Sequence, residues 1–96
     1  MVAGVAEISP GDVFQPHCHH PPEIYHIVEG SGTITIEGES EEMRMGSTAF
    51  IPGNAVHSIR NDGEQMLRFF YVFGEDSMEN ITYKFVKSEA VPESME

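Results

Sequence analysis

The chain has no tryptophan, a single cysteine and only five lysines and arginines among its 96 residues. One thiol, Cys18, cannot close an internal disulfide, which favours a reducing compartment and, with it, a cytoplasmic location. Sixteen acidic residues against those five basic ones leave a formal net charge of −11. Nucleic acids and anionic membranes select basic surfaces, so neither is an expected partner. No apolar run approaches the ~20 residues of a membrane-spanning helix. The first residues also lack the basic start and long apolar stretch of a signal peptide. Ninety-six residues fit one domain. So small a chain buries only about 60–70% of its unfolded surface, and association would help it.

What the chain does contain is short alternating segments cut by Gly and Pro. Residues 2–8 read as a strand ending at Ser9-Pro10-Gly11-Asp12. Residues 23–29 read as another, with a hairpin turn at Gly30-Ser31-Gly32. Thr33–Glu37 alternates strictly, and Gly38-Glu39-Ser40 turns the chain into residues 41–45. Met66–Phe73 is apolar on both alternating sets and so is expected to be covered on both faces. The cover is either the segment Ile81–Phe85 folding back or a second subunit. The sequence shows no helix and no repeat. An all-β, two-sheet jelly roll over residues 1–85, with a polar tail at 86–96, is the expected architecture.

The chemistry concentrates in residues 11–30. On an extended chain His17 and His19 share a face while Cys18 points away. Two residues advance about 6–7 Å, which lets both imidazoles converge on one ion. Pro21 and Pro22 offer no N–H to a ladder, so the strand stops there. Glu23 opens the next run, expected as the antiparallel neighbour of the first, with its carboxylate beside the histidines. His57, after a Pro52-Gly53-Asn54 turn, is the candidate fourth ligand. Three neutral imidazoles and a carboxylate suit one divalent transition metal: iron, manganese, nickel, zinc or copper.

Gly11, His17, His19, Glu23 and Gly30 match every fixed position of the first motif of the cupin superfamily, Gly-x5-His-x-His-x3-Glu-x6-Gly. Gly46, Pro52, His57 and Asn61 match its second motif, which Asn54 alone departs from by replacing a glycine. Asn tolerates left-handed backbone better than other side chains, so the turn is expected to survive. The chain thus resembles a small single-domain cupin, which implies a double-stranded β-helix and a metal held by His17, His19, Glu23 and His57. Such domains usually carry further strands before this point, so a minimal member or a fragment is the expectation.

The resemblance also implies a metal-dependent enzyme on a small oxygenated molecule: a dioxygenase, an isomerase, or a lyase. The run from His17 to Gly30, with Tyr25 two residues after Glu23, looks like the first motif of cupin lyases acting on dimethylsulfoniopropionate, where a tyrosine serves as base. Tyr25 lies inside the barrel, as a core ring or as that base. A non-catalytic ligand-sensing or sugar-binding module is the alternative. Phe14, Tyr25, Ile27, Phe50 and Ile59 are the candidate pocket walls by alternation. His20 sits at the pocket mouth, His26 faces away from the metal, and Cys18 packs behind the ligand strand. Ile24, His26 and Val28, outward on their strand, together with Met66–Phe73, point to a homodimer.

Overall fold

The computed structural model describes residues 1–74 and the two-residue strand Lys84–Phe85. These residues form nine strands and no helix: β1 (Val2–Ile8), β2 (Val13–Cys18), β3 (Glu23–Glu29), β4 (Ser31–Ile36), β5 (Glu39–Arg44), β6 (Thr48–Ile51), β7 (His57–Arg60), β8 (Leu67–Phe73) and β9 (Lys84–Phe85). They build two antiparallel sheets, one of four strands in the order β1-β8-β3-β6 and one of five in the order β5-β4-β7-β2-β9. Among consecutive strands only β4 and β5 are hydrogen-bonded neighbours. Every other link crosses from one sheet to the other, which winds the chain into a jelly roll.

That winding corrects two expectations. β3 does not pair with β2; it lies in the opposite sheet between β8 and β6. Pro21 and Pro22, unable to donate to a ladder, carry the chain across the sandwich instead of around a hairpin. Glu23 therefore meets the histidines across the interior rather than from an adjacent strand. Gly30-Ser31-Gly32 is likewise a crossing between sheets, since β3 and β4 are not paired. The tight hairpin comes later, at Glu37-Gly38, where both residues take positive φ as a two-residue loop requires.

Alternation fills the space between the sheets. Ile27, Ile51, Ile59, Leu67 and Phe69 are almost fully buried there, with Tyr25, Ile34 and Met43. Each such side chain contributes roughly 1.5–3 kcal/mol by leaving water. Asn61 ties the ends of the strands together. Its Nδ2 donates to the carbonyls of Ile8 (2.8 Å) and Gln65 (2.7 Å), and its Oδ1 accepts from the Gly63 amide at 3.0 Å. The turn before β7 survives as expected, with Asn54 at φ 65°. Gly53 serves it differently, since any Cβ there would collide with the His20 carbonyl oxygen.

Among the described residues the double-sided strand β8 is covered on one face only. Leu67, Phe69 and Phe73 are buried, whereas Phe70 stays exposed on the outside of the four-stranded sheet. Of the segment expected to fold back over it, the structure describes Lys84–Phe85, which pairs with β2 on the other sheet. That segment's remainder and the expected 86–96 tail lie outside the described residues.

Candidate metal centre

β2 and β7 are neighbours, and their register sets His17 opposite His57 with ring centroids 4.2 Å apart. An irregularity between Phe14 and His17 turns the end of β2 inward, so that both Pro16 and His17 are buried. His19 follows just past the strand, its ring 5.9 Å from that of His17 and 5.2 Å from that of His57. Each ring is aimed by a local bond. Nδ1–H of His17 donates to the Gln15 carbonyl at 2.8 Å, that of His19 to Pro21 at 3.0 Å, and that of His57 to Ala55 at 2.9 Å. Donation from Nδ1 fixes the tautomer that leaves the lone pair on Nε2, the arrangement metal-bound imidazoles adopt. The three buried histidines offer ligand atoms all within 4.8 Å of one another.

Glu23, from the opposite sheet, places Oε1 2.9 Å from His19 Nε2 and 3.6 Å from His57 Nε2. With Nδ1 of His19 donating elsewhere, an imidazole lone pair and a carboxylate face each other at 2.9 Å. Only a proton or a metal ion between them removes that repulsion. Nε2 of His57 is buried and has no hydrogen-bond partner among the described residues. A buried polar atom left unpaired costs about 1–3 kcal/mol, and a cation here would satisfy it. The donor set fits a divalent ion. Burial also lowers the pKa of His17 from 6.5 to about 4, against the raising effect of its bond to Gln15, and its histidine neighbours lower it further. His17 is therefore neutral at pH 7, the form in which an imidazole can bind a metal.

Beside the carboxylate lies a cavity of about 230 Å³, walled by Phe14, Tyr25, Phe69, Tyr71 and Phe73, with Glu23 and Ala6 completing it. Tyr25 is buried, its ring 4.5 Å from Phe69 and turned edge-on towards His57 at 6.0 Å. Two of the expected walls, Phe14 and Tyr25, are there. Ile27 and Ile59 belong to the core instead. Phe50 is a correction: it pairs with Ile24 and points outward, 62% exposed, because its neighbour Ile51 takes the inward position opposite Glu23. Phe69, Tyr71 and Phe73, which fall on one alternating set of β8, are further walls that the sequence expectation does not include. His26 does face away, with Nδ1 2.7 Å from Thr48 Oγ1, and Cys18 is a half-buried free thiol. His20 is exposed.

Residues 4–73 match the family model of the cupin domain. The chain belongs to the cupin family. Over 88 residues it is 47% identical to dimethylsulfoniopropionate lyase DddW of Ruegeria pomeroyi, a match covering 92% of this chain and 57% of that protein. The chain spans about half the length of the curated relatives it matches. Among solved structures it superposes on a chain from the crystal structures of the DMSP lyases RdDddP and RnDddQII with a TM-score of 0.75 at 20% identity, covering 88% of this cupin and 43% of that chain. Salicylate 1,2-dioxygenase of Pseudoaminobacter salicylatoxidans gives 0.77 at 13% identity, over 90% and 24%. At such identities these two structures share the fold with this cupin. Among the described residues no helix is long and apolar enough to cross a membrane.

Proposed function

We propose that this cupin is a metal-dependent lyase that cleaves a small sulfonium carboxylate of the dimethylsulfoniopropionate type, with His17, His19, Glu23 and His57 as the metal ligands and Tyr25 as the base. The observation that carries the reading is that Glu23 and Tyr25 line one aromatic cavity, while the same Glu23 places Oε1 2.9 Å from Nε2 of His19 in the buried histidine cluster. The relative named as a dimethylsulfoniopropionate lyase supports the choice of reaction. A sulfonium is a soft cation, and the faces of Phe14, Phe69, Tyr71 and Phe73 suit it, each such contact contributing about 0.5–2 kcal/mol.

A divalent ion held by His17, His19, Glu23 and His57 would supply Lewis-acid polarisation of the substrate carboxylate. Tyr25, as the base, takes the proton from the carbon next to that carboxylate. The electron pair released forms a carbon–carbon double bond, the carbon–sulfur bond breaks, and its electrons leave with neutral dimethyl sulfide. Acrylate remains, and Tyr25 returns its proton to water. The buried ring of Tyr25, packed on Phe69, holds the base in place. Headspace analysis of dimethyl sulfide from metal-loaded protein tests the reading. The Tyr25→Phe variant should lose at least about 100-fold in turnover while keeping its metal. Unchanged turnover in that variant would return Tyr25 to a packing role, and an oxygen-consuming reaction in its place would make the site a dioxygenase.

The cytoplasm remains the proposed location, resting on the lone thiol. A homodimer is proposed through the outer face of the four-stranded sheet, where register builds two rows. Ala3, Val72, Ile24 and Phe50 form one; Val5, Phe70, His26 and Thr48 form the other. Val5, Ile24, Phe50 and Phe70 are exposed in the single chain. Arg68 closes the patch with ion pairs to Glu7 (2.9 Å) and Glu29 (2.8 Å). On a chain of net charge −11 this face is nearly neutral, so it is where a second copy approaches with least repulsion. An apolar centre with a charged rim is also how such interfaces are built.

A further inference from the structure

Tyr71 stands at the middle of β8 on the inner face, in register with Tyr25 of β3 on one side and Gly4 of β1 on the other. Partners opposite one another in an antiparallel pair share a face, so the Tyr71 ring has two sides to lean towards. It lies over Gly4. A Cβ at that position would sit 2.6 Å from the Tyr71 hydroxyl oxygen and 2.8 Å from Cζ, closer than atoms approach. The ring in this position and any side chain at residue 4 exclude each other. Phe73 holds the ring from along the strand, nearly parallel to it at 15° with centroids 6.1 Å apart. Because the phenol rests on Gly4, the space beside Tyr25 stays open, and that space is the cavity reaching Glu23. Ala6, the next inward residue of β1, keeps the same side shallow.

We propose that Gly4 and Tyr71 are the specificity-determining pair of this site: the bare Cα of Gly4 accommodates the phenol, and the phenol so placed sets how long a carboxylate fits between it and the Glu23 end. At about 230 Å³ the cavity is smaller than the usual 300–1,000 Å³ of drug-sized ligand sites. The ligand class it selects is a short, unbranched carboxylate with a compact apolar or onium tail. This rests on the proposed reading in one respect, that the carboxylate is held at the histidine–Glu23 end. A side chain at residue 4 displaces the far end of a flexible ring rather than backbone, so Gly4→Ala shifts Tyr71 into the cavity while the sheet is retained.

The test is calorimetric binding of straight-chain carboxylates from acetate to hexanoate to zinc-loaded protein, with the metal content of every variant checked by elemental analysis. The wild type should show a length limit. Gly4→Ala should move that limit to a shorter chain, with at least a tenfold loss for the longest member the wild type binds. Tyr71→Leu should move it to a longer chain, and the double variant should follow Tyr71→Leu, since no ring remains to displace. Should Gly4→Ala fail to fold, the Tyr71→Leu shift decides alone. No binding by the wild type, or the same limit in wild type, Gly4→Ala and Tyr71→Leu, overturns the proposal. Turnover of dimethylsulfoniopropionate is scored separately. Its absence beside an intact length limit removes the lyase reading and leaves the pair standing; its presence with an unaltered limit does the reverse.

Discussion

The two sheets of this cupin differ inside and out. Inside, the five-stranded sheet contributes nitrogen: His17 and His57 on neighbouring strands, with His19 just past the end of β2. The four-stranded sheet contributes oxygen, through Glu23 and the phenols of Tyr25 and Tyr71. Outside, the five-stranded sheet is polar, with Thr33 bonded to Asp62 at 2.7 Å and Thr35 to Ser40 at 2.7 Å. The four-stranded sheet instead shows Val5, Ile24, Phe50 and Phe70. The candidate metal site lies between the sheets, whereas the proposed dimer face lies on the outside of the four-stranded sheet. A substitution can therefore reach one without the other.

The largest effect expected from breaking the nitrogen side is on stability against acid. His17 has its ordinary pKa of 6.5 when unfolded and about 4 when folded, chiefly because burial disfavours its charged form. Between those values the unfolded chain binds more protons, so stability should fall as the pH drops from 6.5 towards 4. The full loss attributable to this residue is about 3 kcal/mol. Urea unfolding of metal-free protein at pH 7 and pH 4 measures it, and His17→Asn should flatten the difference. An equal drop in that variant would assign the acid sensitivity to other groups.

A smaller effect is expected from the outer faces. By light scattering after size exclusion at micromolar concentration, the wild type should have twice the chain mass. Phe70→Glu should halve it, whereas Thr35→Glu on the other sheet should leave it unchanged. A monomeric wild type would refute the dimer.

Much of the site was legible before the fold was known. The His-x-His spacing puts His17 and His19 on one face, and the structure brings both to His57. The sheet to which Glu23 belongs was not legible. Alternation tells which way a side chain points from its own strand, and Pro21-Pro22 says only that the ladder stops. Whether the chain then turns back or crosses over is decided by partners far away in sequence, here Phe73 and Ile51 opposite Glu23. Phe50 and its inward neighbour Ile51 are both apolar, so hydrophobicity does not set the phase of so short a strand. The walls on β8 are not legible in sequence because that strand is apolar on both faces. Gly4 carried no signal at all, since its importance is the volume it leaves to Tyr71.

The central claim is that one divalent ion joins the two sheets through His17, His19, His57 and Glu23. Elemental analysis of protein purified without added metal tests it most directly, on wild type, Glu23→Gln and His57→Ala side by side. The expected result is one ion per wild-type chain, a reduced content when the carboxylate of the four-stranded sheet is neutralised, and almost none when His57 is removed. Full metal content in the His57→Ala protein would contradict it.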